Sequence, residues 1–212
     1  PEQLENYEKR FGGFGRFTAP LPHHYQRLSD RQTLAIGNRY WQVVVGQGHS
    51  PEHACLYCPA LQLVIAGDQI LPRITPNVSV FPTEPDGNPL EGWLTSNARL
   101  LSMLPDDLLV LPAHQAPFIG VRVRLNQIID SHRMALAKLY DFLEEPRLLP
   151  DCFQCLFKRR IGENEIQMAT GETVAHLNYL WHRGNVYREM NTRGQYEYRS
   201  DPETHYIDID AH

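Results

Sequence analysis

The fold is decided by residues 33–68, which run TLAIGNRYWQVVVGQGHSPEHACLYCPALQLVIAGD. Gly37 and Asn38 form a hairpin turn signal between two runs rich in β-branched and aromatic residues, so a strand is predicted on each side of them. A second pair of strands is predicted around Pro59. Residues 61–67 are a continuous apolar run, which is typical of a strand that is buried on both faces.

Helices are predicted downstream of these strands. Apolar residues recur at helical spacing over residues 90–104 and 121–143, with a short strand predicted at 108–111 between them. Residues 71–88 contain several prolines and little periodicity, so we expect a long surface loop there. The chain is therefore predicted to be an α+β protein.

The last third of the chain differs in character. Helical segments are predicted at 151–157 and 172–182, followed by two strands within residues 186–199. Helix, turn and two-stranded hairpin is the layout of a winged-helix module. We therefore predict two domains, residues 1–146 and residues 147–212.

Composition limits the classes of function. The net charge is −5 and no dense run of Lys and Arg occurs, which argues against nucleic-acid binding. No apolar run approaches the ~18 residues that a membrane span requires. The four cysteines form two CxxC pairs, which predict reduced thiols in a cytoplasmic protein rather than a secreted disulfide framework. Ten histidines invite a search for a metal site.

Three potential metal ligands each follow a predicted strand. They are His49 in GHSPEH, Asp68 in GDQ and His114 in LPAHQ. Binding sites concentrate in loops at strand ends, and two imidazoles with one carboxylate suit zinc or a similar divalent ion. Taken singly, each residue has an ordinary structural explanation, because a His beside a Pro is usually solvent-exposed and an Asp after a strand usually caps a turn.

These motifs resemble the third, fourth and fifth sequence motifs of the metallo-β-lactamase superfamily, and the resemblance covers about residues 35–200. It implies the carboxy-terminal portion of an αββα sandwich, followed by a small winged-helix-like module. His49 would bind a first metal, His114 a second, and Asp68 would bridge the two as the catalytic carboxylate. The cofactor would be zinc, two ions in the intact protein, with iron or manganese as alternatives. His53 would support the ligands without binding metal.

The resemblance also implies a reaction. A metal-activated hydroxide would attack a small ester, thioester or lactone, with amide and phosphodiester centres as wider possibilities. His132 would contact the substrate at the cleft mouth, or would be an ordinary histidine on a helix surface. We expect a small-molecule substrate, a homo-oligomer, and no membrane partner.

One family motif is absent. The superfamily opens with HxHxDH, and nothing in the 48 residues before His49 matches it; His23 and His24 lack both its spacing and its Asp. Because the chain begins with Pro1, we expect it to be truncated, to keep at most three ligands of a two-metal site, and to be inactive alone. Losing half of the fold would expose an apolar sheet face and promote self-association.

Two alternatives stay open at this point. The CxxC pairs, Cys55 with Cys58 and Cys152 with Cys155, could form a four-cysteine zinc site, although buried reduced thiols are favoured because 94 residues separate the pairs. The winged helix could serve a non-catalytic interaction or DNA-binding module, although residues 172–183 offer few cations to phosphate.

Overall fold

A computed structural model of the protein describes residues 23–204. Its larger sheet has five strands in sequential order, antiparallel except for the last pair, which is parallel. The strands are β1 (Thr33–Ile36), β2 (Arg39–Gly46), β3 (His53–Cys58), β4 (Leu63–Gly67) and β5 (Leu109–Pro112). Both predicted strand pairs are confirmed, and the second is joined by a short 3₁₀ turn at Pro59–Leu61.

Two helices pack on one face of this sheet. Helix α1 (Pro89–Met103) provides the crossover between the parallel strands β4 and β5. It starts where Pro89 takes the first helical position and the Asn88 side chain accepts a hydrogen bond from the Glu91 N–H. Helix α2 (Val121–Phe142) follows β5. Both helices were predicted from their apolar spacing.

The two faces of strand β4 are buried to very different extents. Val64 and Ala66 of β4 are fully buried against α1 and α2. The residue between them, Ile65, points to the opposite face and is 40 % exposed, and Leu109 in β5, which pairs with Leu63, is 36 % exposed. The expectation that residues 61–67 are buried on both faces is therefore wrong, because the second face stays partly exposed at Ile65. The self-association that this face suggests stays a prediction.

The carboxy-terminal part forms a second layered unit. It contains β6 (Arg147–Leu148), α3 (Leu149–Leu156), α4 (Ile166–His182), β7 (Val186–Met190) and β8 (Tyr196–Ser200), with strand order β6-β8-β7. The hairpin is confirmed, and α4 begins six residues before the predicted start. The two-residue strand β6 was not predicted. Helix, turn and hairpin are all present, while the winged-helix assignment and the domain boundary at residues 146 and 147 stay predictions.

The segment between β4 and α1, residues 68–88, has no regular structure, which confirms the loop predicted at 71–88, and it is hydrogen-bonded to α4. The Asn178 amide donates to the carbonyl oxygens of Pro85 and Gly87 at 2.9 Å, and the Val80 N–H donates to the Gly171 carbonyl at 3.0 Å. None of the helices between residues 23 and 204 combines the length and the apolar character needed to cross a membrane.

Candidate metal centre

The three predicted ligands lie together at one end of the larger sheet. His49 follows β2, Asp68 follows β4 and His114 follows β5. His49 Nε2 is 3.7 Å from Asp68 Oδ2, and His114 Nε2 is 3.4 Å from Asp68 Oδ1. Each carboxylate oxygen therefore faces a different imidazole. Two donors bound to one tetrahedral ion at zinc distances would lie about 3.3–3.6 Å apart, so both separations are close to what shared ligation requires.

His49 is held with one ring nitrogen free to bind. Its Nδ1–H donates to the Asn77 carbonyl at 2.8 Å, and since a carbonyl can only accept, Nδ1 carries the proton. In the neutral ring, Nε2 then presents a lone pair toward the Asp68 carboxylate. The turn that carries His49 fits against α1 because Gly48 has no side chain: a Cβ there would lie 2.4 Å from Trp93 Cβ, and its φ is +105°.

Asp68 carries the observation that bears most directly on a metal. Its Oδ1 is buried and makes no hydrogen bond, although it is in contact with His114. An ionised oxygen buried without a donor is costly, and a cation between the carboxylate and the imidazoles would satisfy it. The pairing of β4 with β5 shifts register between Ile65 and Gly67, which brings Asp68 and His114 to the same edge.

The donor set fits a divalent metal in type but is incomplete in number. Among the described residues 23–204, no group of three or more His, Cys, Asp or Glu side chains is arranged to hold a metal ion by itself. Asp68 lies between the two histidines, with one oxygen toward each, which is the arrangement expected of a carboxylate that bridges two ions. The ligand roles of these residues stay predictions.

His53 supports Asp68 from behind. Its Nε2 accepts a hydrogen bond from the Asp68 backbone N–H at 3.1 Å. Burial, with a smaller effect from nearby His49, lowers the pKa of His53, which favours the neutral ring that can accept this bond. Gly67 makes room for the imidazole, because a Cβ there would lie 2.4 Å from His53 Cε1, and its φ of +54° favours glycine. The supporting role of His53 toward a metal ligand stays a prediction.

His132 is buried inside the protein. The side chain is only 6 % exposed, so the helix-surface alternative is wrong, while the substrate contact stays a prediction. Its Nδ1 is 3.4 Å from His176 Nε2, and its ring meets the Trp93 ring edge-on. Burial lowers the pKa of His132 to about 3, and His176 adds to the effect. The signal that could have found this is the helical spacing of His132 from the apolar residues Ile128 and Leu136, which puts it on the buried side of α2.

All four cysteines are free and buried, which confirms the favoured interpretation over a four-cysteine zinc site. Burial raises the pKa of the Cys55 and Cys152 thiols to about 12, so neither is a ready thiolate ligand.

Two residues near the site were missed by sequence reasoning. Asn77 supplies the carbonyl that orients His49, and its side chain donates to Glu172 at 2.9 Å. Glu172 lies 95 residues further along the chain, so no local pattern could have connected the two.

The family comparisons agree with the fold. The model of the Metallo-beta-lactamase superfamily matches residues 1–114, just over half of the chain, and that of the Metallo-beta-lactamase-like, C-terminal domain matches residues 136–201. The chain therefore belongs to the metallo-β-lactamase superfamily. The first match also extends the predicted resemblance toward the amino terminus. Among curated proteins, no significant match was found.

Two solved structures of this superfamily are also similar to the chain. A beta-lactamase domain protein from Burkholderia ambifaria is 37 % identical, with a TM-score of 0.86 over 94 % of this chain and 60 % of that one. A metallo-beta-lactamase family protein from Thermus thermophilus is 28 % identical, with a TM-score of 0.73 over 85 % of this chain and 56 % of that one. The chain thus spans less than two thirds of the length of either relative.

Proposed function

We propose that this chain carries part of the active site of a metal-dependent hydrolase whose substrate is a small ester, thioester or lactone. The observation that supports it is the buried, hydrogen-bond-free oxygen of Asp68, with His114 on one carboxylate oxygen and His49 on the other. Membership of the superfamily supports the hydrolase class. The substrate class is part of the proposal.

The residues would hold the metal as follows. His49 and His114 would each bind through Nε2, and the Asp68 carboxylate would bridge two ions. When bound, zinc, or alternatively iron or manganese, would supply a Lewis acid and generate a nucleophile from water near neutral pH. The chain's own contribution is to fix these donors. The Asn77 carbonyl sets the His49 tautomer, and His53 holds the Asp68 backbone.

Three donors are fewer than a two-metal site needs, so the remaining ligands would come from outside residues 23–204. We therefore assign the hydrolase activity to a protein longer than the described part, and expect the described donors alone to be insufficient for catalysis. We also propose a cytoplasmic location, because all four cysteines are free thiols.

The non-catalytic DNA-binding alternative has less support. A recognition helix must expose the residues that contact DNA. In α4, His176 and Asn178 are buried, and the Asn178 amide is engaged by the loop before α1. Nucleic acid is therefore not our proposed partner.

Metal titration tests the proposal directly. The chain is titrated with Zn²⁺ in competition with a chromophoric chelator, and with Co²⁺ to record the ligand-field spectrum. We expect Asp68→Asn and His114→Ala to weaken binding by at least about tenfold, while His24→Ala, a change at an exposed histidine that is not a proposed ligand, leaves it unchanged. Equal metal affinity in all four proteins would refute the site. Two tight zinc sites in this chain would refute the claim that its donors are incomplete.

Hydrolysis itself is tested on a protein that includes the HxHxDH motif. A panel of small esters, thioesters and lactones is assayed with and without a chelator, and with Asp68→Asn. We expect activity on at least one class that the chelator and the substitution both abolish. Turnover that survives metal removal would contradict the metal-dependent reaction.

A further inference from the structure

We propose that helix α4 of the carboxy-terminal unit positions the metal ligand His49, with Asn77 and Glu172 as the positioning residues. The inference rests on the proposed function, since it gives His49 the role of a ligand. It goes beyond that role because it makes the carboxy-terminal unit part of the metal site.

The first step is the contact between His49 and the loop before α1. His49 Nδ1–H donates to the Asn77 backbone carbonyl at 2.8 Å. This is the contact that fixes both the tautomer and the plane of the ring. If the carbonyl moved, the proton could transfer to Nε2, and the nitrogen that faces Asp68 would no longer have a lone pair. The position of residue 77 therefore decides whether His49 can bind metal.

The second step is the anchoring of Asn77. Its amide nitrogen donates to Glu172 Oε2 at 2.9 Å and to the Met168 carbonyl at 3.3 Å. Its amide oxygen accepts from the Ser79 hydroxyl. Both amide protons and the amide oxygen are thus engaged, which leaves the side chain one orientation. Two of the three partners belong to α4, so the helix sets where the Asn77 carbonyl lies.

The third step is the close approach of loop and helix. The Val80 N–H donates to the Gly171 carbonyl at 3.0 Å, and a Cβ on Gly171 would lie 2.8 Å from Ser79 Oγ and 3.0 Å from the Val80 carbonyl oxygen. Only glycine allows this spacing. Because Gly171 directly precedes Glu172, the loop is fastened beside the carboxylate that holds Asn77.

The helix itself is rigidly held. Ala175, Leu177 and Leu180 are fully buried in the core that α4 shares with α1, α2 and α3. The His176 Nδ1–H also donates to the Glu172 carbonyl at 2.8 Å. The chain of contacts from this core to the ligand passes through one carboxylate, one amide and one backbone carbonyl. Glu172 accepts from a neutral amide, so its oxygen, rather than its charge, performs the positioning.

The experiment uses the 212-residue chain and two measurements. Zinc affinity is measured by chelator competition, and the tautomer of His49 is measured by ¹⁵N NMR on the metal-free chain at about pH 8.5, where imidazole is neutral. The variants are Glu172→Ala, which removes the acceptor, Glu172→Gln, which keeps an oxygen acceptor, and Asn77→Ala, which removes the amide that contacts Glu172 without altering α4.

Two controls separate positioning from general loss of structure. Leu180→Ala makes a cavity in the core that holds α4, about two helical turns along the helix from Glu172. Gln167→Ala changes an exposed position on the same helix. Leu180→Ala should lower the unfolding midpoint while zinc affinity changes by less than about threefold, and Gln167→Ala should alter neither measurement.

We expect Glu172→Ala and Asn77→Ala each to weaken zinc binding by roughly 10- to 100-fold and to convert His49 from one tautomer to a mixture. Glu172→Gln should stay within about threefold of the unmodified chain. The proposal is overturned if both alanine variants retain the affinity and the single tautomer, if Leu180→Ala weakens zinc binding as much as Glu172→Ala does, or if Glu172→Gln fails like Glu172→Ala. If the unmodified chain binds no zinc, the proposed metal site fails, whereas the tautomer measurement still decides the positioning proposal.

Discussion

Acidification should destabilise this protein through His132. Burial lowers the pKa of His132 from its ordinary 6.5 to about 3. Above pH 6.5 the ring is neutral in both the folded and the unfolded chain, so it contributes no pH dependence. Below that value the unfolded chain binds a proton that the folded chain excludes until the pH approaches 3. Stability is therefore lost progressively as the pH falls through this window.

The size of the effect follows from the shift. Each pH unit inside the window costs about 1.4 kcal/mol, and pH 5 lies about 1.5 units below the ordinary pKa, so His132 should cost about 2 kcal/mol there. Solvent screening reduces this free-energy cost only slightly, because the side chain is only 6 % exposed. For a domain of this size, about 2 kcal/mol is a large part of the total stability.

Urea unfolding at about pH 7.5 and pH 5 measures this contribution, with His132→Leu as the comparison. The substitution leaves His176 Nε2 without its partner, which costs about 1–3 kcal/mol at both pH values and cancels in the difference. The lowered pKa values of His53 and His176 act in the same direction in both proteins. The unmodified chain should lose about 2 kcal/mol more between the two pH values than the variant does. Equal losses would refute the reasoning.

Three further results are expected. Gly67→Ala should displace the His53 ring and leave the Asp68 N–H without an acceptor. We expect the free energy of unfolding in urea to fall by about 2–4 kcal/mol and zinc binding to weaken. Unchanged values of both would contradict the contact between Gly67 and His53. Gly171→Ala should displace the loop from α4, which amide hydrogen exchange would record as faster exchange of the Val80 N–H. Exchange as slow as in the unmodified chain would contradict this close approach of loop and helix. The chain should self-associate through the sheet face that exposes Ile65, so sedimentation should show association that Ile65→Lys reduces. A chain that stays monomeric at all concentrations would rule this association out.

Local patterns predicted most of the fold. The turn at Gly37 and Asn38 indicated the first hairpin, and apolar spacing indicated α1 and α2. Strand β6 was missed because two residues are too few to show a period of two. The exposure of Ile65 was missed because an apolar run shows that a strand can be buried, and says nothing about whether a covering layer is present.

The candidate site, too, could be predicted from the sequence only in part. His49, Asp68 and His114 could be selected because each follows a strand within a short recognisable motif, and the structure places them together. Asn77 and Glu172 could not be selected, since an asparagine in a proline-rich loop and a glutamate on a helix are ordinary locally. Their relation exists only in the packing of α4 on the loop.

The attachment of the loop to α4 also orders events during synthesis. A ribosome delivers about 5–20 residues each second, so the 95 residues between Asn77 and Glu172 take roughly 5–19 s to appear. Throughout that interval His49 and Asp68 have already been made, yet the Asn77 carbonyl that orients the imidazole is not held by α4. Metal loading of the proposed centre would then follow release of the carboxy-terminal unit, and a nascent chain stalled before Glu172 would take up zinc poorly.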